Sequence, residues 1–413
     1  MASFSKVIEL KGHIIDSLTF PKVLDEILDR EGNYITQEIS IGKTKTDPSY
    51  ARVKVSCSSR PKLEEILTRL YQLGATPLKE REVTLKEAPQ AGILPTGFYV
   101  TTGLSCEARF KGRWLAVADI CPDCAIRVDE RTSKAQAVKF HQVAPGDKIV
   151  VGSNGVRVSP LARFRPRGLF DFPARFIAAD KAKGSLISEV ALEIERTKAG
   201  GGKILLAVGE AVGKAGCREQ LCRLIEAGYT DILVAGNDLA SSDLAISLFG
   251  LPHSNSAKKR KETRTQRYLE AINEIKQVGG VKKAIASGLV KKGIFYSLDK
   301  AGGDFLLLGN PSDDGPLPEV VTDTVQAQMV LRKKVRGVKL VLVIASHFHA
   351  KAVGKALPAS VRGVVVDINP TVVSKFTDRV GFQTLGLVTD AELFLKELVS
   401  CLCPGRKKSK RGR

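Results

Sequence analysis

The chain has 413 residues, 43% of them apolar, which is long enough for two or three domains with substantial cores. Its 64 Lys and Arg against 44 Asp and Glu give a formal net charge of +20. No run of about 18 apolar residues marks a membrane helix, MASFSKVIELKGH lacks the apolar centre of a secretory leader, and eight scattered cysteines suit a reducing compartment. A cytoplasmic protein is the expectation.

The first 88 residues predict strand (Lys6 to Ile15), helix (Phe20 to Glu31), two strands (Tyr34 to Ile41, Ala51 to Cys57), helix (Lys62 to Leu73) and strand (Leu78 to Leu85). Alternation in VIELKGHII and ARVKVS argues half-buried strands, and Leu63, Ile66, Leu67 and Leu70 form one helical stripe. This βαββαβ order predicts a ferredoxin-like α+β domain over residues 1–88. Pro89 to Pro95 reads as a linker. The short runs Phe98 to Thr101, Trp114 to Ala118, Ala125 to Val128 and Lys148 to Val151 then predict a small β-rich module over 96–165, followed by the arginine-rich connector Arg163 to Arg175.

From Ser185 onward, apolar runs of a few residues alternate with helical stretches, which predicts a parallel doubly wound α/β domain over 185–403. Its expected strands are Ile204 to Val208, Ile232 to Ala235, Gly293 to Ser297, Phe305 to Leu308, Leu340 to Ile344, Val364 to Asp367 and Leu385 to Val388. In such sheets, ligands lie beyond the carboxyl ends of the strands. The residues that follow each run are therefore the candidates.

After the first run, GEAVGKAG places Gly209, Gly213 and Gly216 where backbone amides could cradle a phosphate, although the spacing is not GxGxxG and tight packing demands glycine equally. After the second, Asn237 or Asp238 could cap the next helix or face a ligand. VDINP puts Asp367 at a strand end, where an acid can bind ribose hydroxyls, and Pro370 at a helix start. His347 and His349 follow LVLVI; two residues apart on a helix, they point apart, which argues against a shared metal. After Phe305 to Leu308 comes SDDGPLPEVVTD, four acids in a stretch, Asp304 to Leu331, that has no Lys or Arg. Such a loop could receive an amine.

CPDC places Cys121 and Cys124 in the β-rich module, with Cys106 and His141 at separations compatible with zinc; a single CxxC fits a buried reduced pair as well, and no metal is assigned. Two basic runs, Lys258 to Arg267 and the tail Arg406 to Arg413, read as solvated flexible segments. They would support at most weak, sequence-independent nucleic-acid binding.

The stretches ELKGHIIDS (9–17), IGKTKTDPSYARV (41–53), GDKIVVGSNGVRV (146–158), AGND (235–238), SDDGPLPEVVTD (312–323), HAKAVGKALPA (349–359) and VDINP (366–370) together resemble the archaeal-type ornithine cyclodeaminases and the carboxyl-terminal half of cyanobacterial bifunctional arginine dihydrolase/ornithine cyclodeaminases. The first part resembles the conserved region of the lysine-ketoglutarate reductase/saccharopine dehydrogenase bifunctional enzyme. The resemblance implies a carboxyl-terminal NAD-binding domain of deoxyhypusine-synthase-like type and conversion of L-ornithine to L-proline and ammonia. A hydride would leave Cα, the δ-amine would close the ring and expel ammonia, and the hydride would return to the cyclic imine. The motif match fixes the positions of Asp313, Asp314, His349, Asn237, Asp367 and Asn369; from their chemistry we expect Asp313 and Asp314 at the substrate amines, His349 in proton transfer and Asp367 at ribose, with Asn237 and Asn369, and the turn residues Gly209, Gly213, Gly216 and Asp238, on the cofactor side. A homo-oligomer binding a small amino acid, without membrane association, is expected. Ser312, in place of a basic residue, and the basic run before Tyr268 depart from the family pattern. The alternative reading is an NAD-binding or regulatory homologue with altered catalysis.

Overall fold

The computed structural model describes residues 4–15, 17–44, 47–78, 81–159, 175–177, 183–213, 215–250, 257–313, 315–380 and 383–403. The connector 163–174, Asp314 and the tail 404–413 lie outside them. The chain forms two compact units, residues 1–173 with 357–360, and residues 174–356 with 361–413.

The first unit begins with β1 (Phe4–Gly12), α1 (Thr19–Asp29), β2 (Asn33–Ser40), β3 (Ser49–Cys57), α2 (Arg60–Gln72) and β4 (Thr76–Pro77). They build a four-stranded antiparallel sheet in the order β2-β3-β1-β4. Ile8, Leu10, Val53 and Val55 alternate inward to meet Val23, Ile27, Ile66 and Leu70 of the two helices. Ser59 starts α2 by accepting from Lys62 N, with Pro61 in the first turn.

The strand expected over Leu78 to Leu85 does not form as one piece. Only Thr76–Pro77 joins the first sheet, and β5 (Thr84–Glu87) joins a second. That sheet continues with β6 (Cys106–Phe110), β7 (Arg113–Ala118), β8 (Ala125–Asp129), β9 (Lys134–Val138), β10 (Lys148–Val151) and β11 (Val156–Val158), in the order β11-β6-β7-β9-β8-β10-β5. Phe98 to Thr101 contributes only a bridge, Phe98 to Val151. Cys121 and Cys124 lie in this core. The segment Leu357 to Ser360 belongs here as well, with Ala359 N donating to Gly103 O at 2.9 Å.

The second unit contains β12 (Arg175–Ile177), α3 (Lys183–Ala199), β13 (Lys203–Val208), α4 (Ala215–Glu226), β14 (Ile232–Gly236), α5 (Asn237–Phe249), α6 (Ala257–Gln277), α7 (Val281–Ala286), α8 (Ile294–Lys300), β15 (Asp304–Leu308), β16 (Val320–Val321), α9 (Thr324–Lys334), β17 (Val338–Ile344), α10 (His347–Ala356), β18 (Arg362–Asp367), α11 (Pro370–Val380), β19 (Thr384–Val388) and α12 (Ala391–Leu402). Its eight strands are parallel, in the order β12-β19-β18-β17-β13-β14-β15-β16. The central runs are buried and apolar past their first residues because both faces are covered.

Two sequence expectations fail here. Gly293 to Ser297 is the start of α8, not a strand: Asp243 accepts from Ile294 N and Phe295 N, and Ile294, Phe295 and Leu298 bury one helical face. A short apolar run fits both periods until its caps are known. The basic run Lys258 to Arg267 lies inside helix α6 and is not a flexible loop.

Candidate functional site

Reading outward from β13, the sheet has strands one, two and three as β13, β14 and β15, and strands four, five and six as β17, β18 and β19. The chain reverses direction between β13 and β17, and the crevice at their carboxyl ends is where such sheets bind dinucleotides. Gly209 ends β13 there: a Cβ on it would lie 1.8 Å from Ala345 O, so only glycine allows the two strand ends to close together. Its amide donates to Ile344 O at 3.0 Å.

The other two glycines of the turn meet protein. A Cβ at Gly213 would approach Leu239 and Ser242, and one at Gly216 would run into the Glu392 carboxylate at 2.3 Å. Helix packing accounts for both.

His349 lies in the first turn of α10 and is buried, while His347 is exposed. Its Nδ1 is 2.7 Å from Ser346 Oγ; its Nε2 is buried with no hydrogen-bond partner. The ring covers Gly236, whose Cβ would stand 3.3 Å from Cε1. Burial lowers its pKa from 6.5 to about 4, against the opposing charge of Asp238. At neutral pH it is therefore an uncharged imidazole.

Asn237 is the first residue of α5, yet it caps nothing; Gly236 occupies the cap position. The side chain is fully buried and works over a longer range. Oδ1 accepts from Leu317 N at 3.0 Å, and Nδ2 donates to Tyr268 OH at 3.3 Å. Tyr268 in turn donates to Asp238 Oδ1 at 3.0 Å. One tyrosine on α6 thus ties the AGND turn together, while Asn237 clamps the Pro316 to Pro318 end of the acidic loop. Burial, with the charges of Asp238 and Asp313 adding to it, pushes the phenol pKa up, so Tyr268 stays a donor.

The acids of SDDGPLPEVVTD divide by task. Glu319 accepts from Val281 N at 2.6 Å at the start of α7, and Asp323 accepts from Gln326 N at 2.6 Å at the start of α9. Both serve as helix caps, Glu319 through Oε1 alone, its Oε2 being buried without a hydrogen-bond partner. Asp313 is half-buried, with Oδ2 accepting from Asn310 N at 2.8 Å. Ser312 is exposed, and a cation arrives from elsewhere: a Cβ at Gly315 would lie 3.5 Å from Lys276 Nζ.

At the end of β18, Asp367 Oδ1 accepts from Asn369 N at 2.8 Å, and Asn369 Oδ1 accepts from Thr371 N at 2.9 Å in the first turn of α11. The structure brings Asn237, Asp238 and His349 into one cluster, joins Asp313 to it through the field at Tyr268, and sets Asp367 on the same sheet edge. Tyr268, Ser346 and Lys276 escaped sequence reading, because no local spacing links them to their partners. Tyr268 alone had a hint, as the polar end of an otherwise amphipathic YLEAIN stretch.

Elsewhere, Cys121 and Cys124 sulfurs are 3.2 Å apart in the first unit's core, beyond the bonding distance of about 2.05 Å. Among the described residues no group of three or more His, Cys, Asp or Glu could hold a metal. No helix among them is long and apolar enough to cross a membrane.

The second unit is a Rossmann-type α/β domain with a polar cluster at its switch point. Residues 188–398 match the family described as arginine dihydrolase ArgZ-like, C-terminal, Rossmann fold; residues 105–187 match its first region, and residues 5–104 match the LOR/SDH bifunctional enzyme conserved region. An ornithine cyclodeaminase of Methanopyrus kandleri is 41% identical over 402 residues, covering 97% of each chain. Apo ArgZ, an arginine dihydrolase from the ornithine-ammonia cycle in cyanobacteria, superposes with a TM-score of 0.81 at 29% identity over 98% of this chain and 59% of its own. The ternary complex of AgrE with ornithine and NAD+ gives a TM-score of 0.50 at 31% identity, over 97% of this chain and 59% of that one. The chain therefore spans about three fifths of those bifunctional proteins and nearly all of the archaeal one. It belongs to the ornithine cyclodeaminase family.

Proposed function

We propose that this chain is an NAD-dependent ornithine cyclodeaminase, converting L-ornithine to L-proline and ammonia. The observation that carries the reading is the uncharged His349, with an orphaned buried Nε2, beside Gly236 and Asp238 at the switch point of a Rossmann sheet. Those features fit NAD: Gly209 lets the strand ends close against a cofactor backbone, and Asp367, with Asn369, stands where ribose hydroxyls would lie. Asn237 and Asp238 complete the cofactor side by position, with Gly213 and Gly216 packing the helices behind it.

When bound, NAD supplies reversible hydride acceptance. The chain's own groups do the rest. Asp313 and Asp314 receive the substrate ammonium groups, Lys276 counters the carboxylate, and His349 Nε2 takes the proton that an amine must lose before it can attack carbon. Tyr268 and Asn237 hold the acidic loop against these groups.

We also read the first four strands and two helices (residues 1–88) as ferredoxin-like, 96–165 as a β module, and 185–403 as a cofactor domain of deoxyhypusine-synthase type. A cytoplasmic homo-oligomer is the expected state. The basic helix segment and tail would give only salt-sensitive nucleic-acid affinity.

Turnover tests the reading: purified protein with NAD and ornithine should release proline and ammonia in equal amounts. Binding of NAD without proline at saturating ornithine would favour the regulatory alternative.

A further inference from the structure

Two stretches that carry the family resemblance, ELKGHIIDS and GDKIVVGSNGVRV, belong to the first unit. In the first unit they converge. Together with Arg81 and Trp114 they line a cleft of about 440 Å³ at the seam between the four-stranded and seven-stranded sheets. That volume is typical of small-molecule sites.

The seam is built closely. Gly155 has φ +73°, and a Cβ on it would lie 2.4 Å from Val83 N and 2.9 Å from Arg81 O. The backbone carrying Arg81 is thereby held flush against the turn that carries Arg157. Arg157 Nε is 2.6 Å from Glu107 Oε2, and its guanidinium stacks 4.2 Å from the Trp114 ring centre. Such a clamped fork is preorganised for oxyanions.

Lys11 and Arg81 also line the cleft, and neither forms an ion pair among the described residues. Lys11 Nζ stands 5.6 Å from the Tyr50 ring centre. His13 adds a further nitrogen base. The one acid in the lining, Glu9, is already engaged: Tyr50 OH donates to it at 2.5 Å and Arg52 at 3.0 Å, so its charge is turned toward β3. The cleft therefore holds three cations with a single, committed acid.

We propose that this cleft binds a small molecule through a phosphate or carboxylate group, held by Lys11, Arg81 and Arg157 beside Trp114. L-Ornithine carries a net positive charge and is disfavoured in this cationic cleft, and the proposal does not rest on the function proposed above.

Trp114 is the only tryptophan in the chain, which makes it a local reporter. Full-length protein should be titrated with inorganic phosphate and, separately, citrate, at ionic strength held constant with sodium chloride, while Trp114 emission is followed. A saturable change with at least one probe is expected, and the two probes separate phosphate from carboxylate preference. Lys11→Gln and Arg81→Gln, alone and combined, should weaken it, about tenfold or more in the double variant; both side chains are exposed, so the singles retain the fold. No saturable change with either probe, or equal affinity in the variants, would overturn the proposal.

Discussion

Tyr268 donates its hydroxyl to Asp238 across 3.0 Å while accepting from the buried Asn237 amide, and so joins α6 to the turn after β14. No other described side chain bonds to both residues of that turn. Tyr268→Phe removes the hydroxyl, leaves the Asn237 amide without its acceptor, and should cost about 1–3 kcal/mol of stability. The expected kinetic signature is a fall in kcat of about tenfold or more, with folded protein and NAD affinity retained. A circular dichroism melt with steady-state kinetics checks both. If kcat is unchanged, the contact is structural only.

His349 sets a pH dependence. Its folded pKa of about 4 lies below the ordinary 6.5, so the unfolded chain takes up a proton that the folded chain refuses. Stability is complete above pH 6.5 and falls as pH drops toward 4, by up to about 3 kcal/mol from this residue. Urea titrations across that range should show a shallower decline in His349→Gln than in the unaltered chain.

Asp243 is fully buried, paired with Arg218 at 2.7 Å and accepting from two amides of α8. Asp243→Ala strands the Arg218 guanidinium and uncaps α8. A loss of about 3–5 kcal/mol is expected in denaturant unfolding.

Gly209→Ala would force the ends of β13 and β17 apart, since the new methyl overlaps Ala345 O. The expected result is loss of NAD binding, measured by calorimetry, with a stability cost of about 1–3 kcal/mol or more. Normal NAD affinity in this variant would place the cofactor elsewhere.

Much of the parallel sheet is legible in the sequence because its strands are short runs rich in Val, Leu and Ile that end in small or polar residues. What fails is any residue whose role depends on a distant partner. Gly293 to Ser297 looks like another strand until Asp243, fifty residues earlier, is seen capping it. Asn237 looks like a local cap, but its partners are Leu317 and Tyr268. The acidic loop looks uniform, yet Glu319 and Asp323 cap helices whose starts lie elsewhere in the chain or further along it. Local pattern identifies elements; the site is assembled from long-range hydrogen bonds that no spacing encodes.

In the proposed reaction a hydride leaves Cα of ornithine and returns to the same carbon within one site. Turnover of L-ornithine deuterated at Cα tests it most directly. The expected product is proline that keeps deuterium at Cα, with one ammonia per proline and no accumulation of reduced cofactor. Absence of proline, or proline formed with the deuterium lost to water, would contradict it.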